Sequence, residues 1–157
     1  MTGKDGIDHI NCYSKGATIL GRWLSNFTKC YFVIDDIGFN SMEAAWYWFG
    51  LPDSEERDDL RRLSGWAAKQ AGRELRKRYE VTSTADEHQA FMKRCAAAKL
   101  ASDFSMRQSF NRNTLPLKHY YDYGGKIVNS SSSDWLWSYY ETLKGLSSNE
   151  LTRIANG

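Results

Sequence analysis

The chain has 157 residues, a formal net charge of +2 and 41% hydrophobic residues, enough for one domain that buries roughly two thirds of its unfolded surface. Three scattered cysteines (Cys12, Cys30, Cys95) exclude a disulfide framework and a CxxC metal site. With no N-terminal apolar segment and no apolar run near about 18 residues, neither export nor membrane spanning is expected, and a reducing cytoplasm is the expected compartment.

In chain order, residues 1–8 read as untethered, Ile10 to Tyr13 as a short strand, and Ser14-Lys15-Gly16 as a turn. Leu24-Ser25-Asn26-Phe27 is turn-like. The β-branched and aromatic Tyr31 to Ile34 predicts a strand, closed by turn residues Asp35 to Gly38. An aromatic helix follows, for which either Asn40 or Ser41 can be the N-cap. Pro52-Asp53-Ser54 ends that helix and starts another, with Ser54 as cap, Glu55 and Glu56 in its first turn, and Arg61 and Arg62 near its end. Past Gly65, a longer helix runs from Trp66 to about Tyr79, with Ala67, Ala71, Leu75 and Tyr79 on its apolar face.

A further helix spans about Ala85 to Ala101, buried through Phe91, Met92, Cys95, Ala96 and Ala98. Asp103 to Asn113 reads as helical, stopped before Pro116. His119 to Tyr123 reads as extended, and Gly124-Gly125 turns into a strand at Lys126-Ile127-Val128. Asp134 is a candidate cap for a helix from Trp135 to Leu143, and a last helix follows Ser147-Ser148. The expected class is α+β: a single, mostly helical domain over residues 1–157 with a few short strands.

Aromatic residues reach 14%, with six Trp and nine Tyr, so rings beyond those filling a core can offer flat faces to a planar ligand. Seven basic residues between Arg61 and Arg78 face one acid, Glu74. That block either attracts phosphates or is a solvated face balanced by the acidic Asp53–Asp59 cluster. Glu43 stands alone among Ala44, Ala45, Trp46, Tyr47, Trp48 and Phe49. With Asn40 as N-cap, Glu43 falls at N3 and completes a capping box. Alternatively, a carboxylate walled by rings is desolvated and can act as a base or steady a developing cation. Asp134 carries the same two readings, helix cap or ligand for a sugar hydroxyl or water. Two such carboxylates suit hydrolysis of a glycosidic bond. His9, His88 and His119 have no ligand or triad spacing and read as surface or core histidines.

Leu24-Ser25-Asn26-Phe27, a strand, an acidic turn and then Ser41-Met42-Glu43 at the head of an aromatic helix resemble the NADAR (YbiA-like) superfamily. Three later stretches agree in order: Ala67-Ala68 and Gly72-Arg73 through Tyr79-Glu80, then Phe91-Met92 with Lys99-Leu100, then Lys126-Ile127-Val128-Asn129 with Asp134 to Trp137. The resemblance covers about Ile10 to Trp137 and implies a cofactor-free N-glycosidase. Some members act on phosphorylated riboflavin-pathway intermediates. Others remove ADP-ribose from modified guanine in nucleic acid, among them phage proteins that counter DarT-type toxins, which would act in the host cytoplasm.

Carried over residue by residue, the resemblance puts the functional carboxylates at Glu43 and Asp134. Ser25, Asn26, Phe27, Trp46, Arg73, Tyr79, Lys99 and Trp137 become the substrate-binding set. The expected partner is ADP-ribosylated nucleic acid, DNA foremost, with no metal, no membrane and no obligate protein partner. Non-catalytic binding of ADP-ribose or nucleic acid is the alternative from another class. The chain departs from the family pattern at Ala44, where His is usual, at Gly50, where Lys is usual, and at Asn129, where Glu is usual.

Overall fold

The computed structural model describes residues 3–130 and 132–157. Its organising element is α5 (Ala85–Ser102), started by a capping box in which the Thr84 hydroxyl accepts from the Glu87 amide and the Glu87 carboxylate accepts from the Thr84 amide. From Phe91 onward α5 is buried on nearly every side, with Met92, Cys95, Ala96, Ala97 and Leu100 all but sealed from solvent. A helix apolar all round belongs in the middle of a fold, and small alanines let its neighbours approach closely.

Around α5 lie β1 (Ile10–Asn11), α1 (Ile19–Leu24), β2 (Phe32–Ile34), β3 (Ile37–Phe39), α2 (Met42–Trp48), α3 (Glu55–Leu60) and α4 (Gly65–Arg78). After α5 come α6 (Phe104–Arg112), β4 (Leu117–Lys118), β5 (Tyr120–Tyr123), β6 (Lys126–Asn129), α7 (Asp134–Thr142) and α8 (Ser148–Asn156). The strands form three two-stranded sheets: β1 parallel to β4, and the antiparallel hairpins β2–β3 and β5–β6. One buried cluster draws side chains from β1 through α8. The domain is therefore α+β with helices dominant, as expected. None of the described helices is long and apolar enough to cross a membrane.

Several local expectations change. Residues 3–8 are tied down, because the Asp5 carboxylate accepts from the amides of Asn11 and Ala17 at 2.9 and 2.8 Å. Helix α1 occupies a stretch without readable periodicity, started by the Thr18 hydroxyl accepting from the Gly21 amide. The β2–β3 turn is only Asp35-Asp36, both with positive φ (52° and 64°), while Ile37 and Gly38 already belong to β3. Such a two-residue turn matches the right-handed twist of a hairpin.

On α4 the buried line is Ala68, Gly72 and Leu75, not Ala67 and Ala71. Gly72 explains the rotation: a Cβ there would meet the Tyr47 ring at 2.3 Å, so α2 and α4 touch through that glycine. Asp134 is the first residue of α7 and not its cap, a position held by Ser133.

Candidate active site

The site is built on the segment between α1 and α2. Its loop, Ser25 to Phe27, is held by its own carbonyls. Lys99 Nζ donates to the Ser25 carbonyl at 3.1 Å, the Glu43 amide to that of Asn26 at 2.9 Å, and the Gly65 amide to that of Phe27 at 2.9 Å. Three distant elements thus fix three consecutive peptides, so the loop is preorganised, and its Asn26 side chain is left over. The Asn26 amide makes no hydrogen bond with a described residue, and its Oδ1 is buried without a partner.

Glu43 sits opposite that loop. The N-cap of α2 is Ser41, whose hydroxyl accepts from the Ala44 amide at 3.0 Å and donates to the Leu63 carbonyl at 2.9 Å. The Asn40 alternative is thereby removed, and with it the capping box, because Glu43 lies one position too early to serve as N3. Its carboxylate makes no hydrogen bond or ion pair with a described residue. Burial pushes the Glu43 carboxyl up to about 7, opposed by the nearby Lys69 and Arg73 cations.

A cleft of about 190 Å³ surrounds it, walled by Tyr13, Phe27, Trp46, Tyr47, Tyr121 and Trp137. Ser14, Ser130, Ser132, Ser133 and His119 also line it. Trp46 is fixed by stacking on Trp135 (ring centroids 6.0 Å apart) and by the edge of His88 at 4.4 Å. Trp137 stacks on Tyr140 at 5.6 Å, and its indole Nε1 is buried without an acceptor.

Of the residues expected from sequence, Glu43, Ser25, Asn26, Phe27, Trp46, Arg73 and Trp137 meet in this cleft. Three do not. Asp134 is exposed and lines an adjoining cavity with Lys118, Tyr120 and Asn129, which shares His119, Ser130 and Trp137 with the cleft. Tyr79 ends α4 with its hydroxyl 3.4 Å from the Glu56 carboxylate. Lys99 is wholly buried behind the loop it supports, 5.0 Å from the Trp23 ring, and burial lowers its ammonium below the ordinary lysine value.

The basic block divides. Arg61, Arg62, Lys77 and Arg78 pair with Asp58, Asp59, Glu74 and Glu56. Arg76 turns inward and donates to the Trp46 carbonyl at 2.7 Å. Only Lys69 and Arg73, four residues apart on one face of α4, enter the cleft. That spacing was the available signal for Lys69, which the sequence left within a basic block open to either a phosphate-binding or a solvated role.

Gly50, the position where the resemblance expects a lysine, has φ +86°, and a Cβ there would meet Ser83 Oγ at 2.3 Å. It lies in a different groove with Trp48, Leu51 and Arg94. Among the described residues, no group of three or more His, Cys, Asp or Glu is placed to hold a metal ion. No protein-family model, curated protein or solved structure matches the chain.

Proposed function

We propose that this protein is an N-glycosidase of the NADAR (YbiA-like) type that releases ADP-ribose from a modified nucleobase, with guanine in DNA as the substrate. The observation that carries this reading is Glu43, a carboxyl without a partner among the described residues, raised to about 7 and enclosed by aromatic rings. Breaking a ribosyl C–N bond builds positive charge on the anomeric carbon, and the departing nitrogen needs a proton. A carboxyl titrating near neutrality is populated in both forms those two demands require. The rings of Trp46, Tyr47 and Trp137 offer stacking faces to sugar and base, and Lys69 and Arg73 attract phosphate. The unpaired Asn26 amide and Trp137 indole supply an acceptor and donors to ribose hydroxyls or a base edge. In this reading Asp134 serves the adjoining cavity, where it can orient the part of the ligand lying beyond Trp137.

A second reading has its own observation. Four of the seven basic residues are neutralised by acids, which favours a small phosphorylated ribosyl-pyrimidine over a polyanion. An ADP-ribosylated DNA oligonucleotide incubated with wild type and Glu43→Gln tests the first reading, with release expected to fall by about 10²–10⁴ in the variant. Equal release by both proteins would sink it. If DNA is the substrate, affinity falls steeply with salt, whereas a flat response points to the small ribosyl phosphate.

A further inference from the structure

Resting on the N-glycosidase reading, we propose that His119 is the catalytic base that deprotonates the attacking water, with Glu43 as the acid that protonates the departing nitrogen. The tautomer carries the argument. His119 Nδ1 lies 2.9 Å from the Cys12 carbonyl, which can only accept, so Nδ1 holds the proton and Nε2 of the neutral ring keeps a bare lone pair. No described residue bonds Nε2, and the His119 side chain is only partly buried. His119 stands in the wall shared by the Glu43 cleft and the adjoining cavity, where a water can approach from one side and a ribosyl group from the other. The edge of Tyr121 at 5.2 Å and the tilted ring of Trp137 at 5.5 Å fix the imidazole plane.

The groups facing His119 set its charge. Burial lowers its pKa most, and Lys69 of α4 adds to that, while the Cys12 carbonyl and Asp134 of α7 oppose it. Lys118 shares the adjoining cavity, and Glu43, Arg73, Tyr13 and Tyr121 share the cleft. Burial acts oppositely on the two site groups, pushing the Glu43 carboxyl up to about 7 and His119 below its ordinary 6.5. The usual order of carboxyl and imidazole is inverted, which is how two titrating groups acquire separate acid and base roles.

The step balances. Water oxygen bonds to the anomeric carbon, and one water proton passes to Nε2. The C–N bond breaks with its electron pair going to nitrogen, which takes the Glu43 proton. Solvent then returns the proton from His119 to Glu43, leaving a ribosyl hydroxyl and a free amine.

The test is the pH profile of kcat/KM on ADP-ribosylated oligonucleotide for wild type, His119→Asn and Glu43→Gln. Asparagine keeps a donor for the Cys12 carbonyl while removing Nε2, so the local fold is retained. Wild type should give a bell, losing rate on the acid side as His119, lowered by burial, protonates and above about 7 as Glu43 ionises. His119→Asn should lose about 10²–10⁴ in rate together with the acid limb, and keep the alkaline limb. Glu43→Gln should do the reverse. Nitrogen NMR should show His119 protonated at Nδ1, with Nε2 shifting when ADP-ribose is added. An acid limb unchanged in His119→Asn, or a proton resident on Nε2 of the neutral ring, overturns the base. Absence of any release by wild type rejects the N-glycosidase reading and this assignment with it, whereas release with an unchanged acid limb rejects the assignment alone.

Discussion

Two buried polar regions lie side by side in this molecule and are treated in opposite ways. Beside β1 and β4, the buried His9 and Asn11 side chains find all their partners among the described residues. His9 Nε2 and the Tyr120 hydroxyl are 2.5 Å apart, and His9 Nδ1 is 2.6 Å from the Asp8 carboxylate. Asn11 exchanges two 3.1 Å hydrogen bonds with the Tyr120 backbone, and its own amide is taken by Asp5. In the cleft, among the described residues, Glu43 has no partner, the Asn26 amide is idle, Trp137 Nε1 is orphaned and His119 uses one nitrogen of two. Unmatched buried polar groups are destabilising by about 1–3 kcal/mol each. Trp48 Nε1, Arg76 Nε and the Tyr140 hydroxyl are also buried without a described partner outside the cleft, but only in the cleft do such groups gather around an open cavity. The first region is scaffold. The second is a half-open cavity with polar groups to spare.

The largest expected effect comes from breaking the satisfied region. Asn11→Ala removes both bonds to Tyr120 and leaves a sealed N–H and C=O unpaired, because the site is only 2% exposed. A loss of about 3 kcal/mol in urea unfolding is expected, with the rate per folded molecule unchanged. A smaller loss would mean that water replaces the side chain and that the matching is less strict than the distances imply.

The open region should behave in the opposite sense, as a liability that depends on pH. Folding raises the Glu43 carboxyl from 4.5 to about 7, so the folded cleft favours the protonated form. Its contribution is fully present below pH 4.5 and is lost as pH rises through 7. Each pKa unit is worth about 1.4 kcal/mol, and discounting for the solvent that still reaches this half-buried side chain leaves roughly 2 kcal/mol over that window. His88 and His119, whose pKa values burial lowers, act in the other direction. The Glu43 part is therefore read as the difference between wild type and Glu43→Gln. That variant should gain relative stability as pH rises from 4.5 to 7; a constant difference would show that the carboxyl is not desolvated.

The contrast between the regions also separates what sequence can carry from what it cannot. Caps and tight turns are local chemistry, so the Ser54 cap, the helix after Ser147 and the Gly124-Gly125 turn were legible from a few neighbouring residues. Much of the cleft wall was legible too, through the Ser25–Phe27 loop and Glu43 with Trp46. What was hidden depends on distance along the chain. The tautomer of His119 is set by a carbonyl 107 residues away, and Asn11 meets Tyr120 across 109. Likewise, α1 is only six residues long, too short to show a period, and the true inner face of α4 follows from Tyr47 lying on Gly72. Composition revealed a basic block, yet only tertiary pairing tells which of its charges are already spoken for.

That last distinction yields the smallest effects and the sharpest comparison, between two lysines of one helix. Lys77 pairs with Glu74 at 3.3 Å, and both side chains are well exposed. Such a pair contributes under about 0.5 kcal/mol, so Lys77→Met should leave stability, rate and pH profile nearly untouched. Lys69 makes no ion pair among the described residues. It stands 5.7 Å from the Phe27 ring and 5.6 Å from that of Trp66, where it holds the Glu43 carboxyl down against burial. Lys69→Met should therefore raise the Glu43 pKa above about 7, seen by carboxyl-carbon NMR, and move the alkaline limb of the rate profile upward. His119 should move upward as well, since Lys69 lowers it. If both lysine variants leave Glu43 titrating where it does in wild type, Lys69 is another solvated charge and the cleft is less electrostatically coupled than its geometry requires.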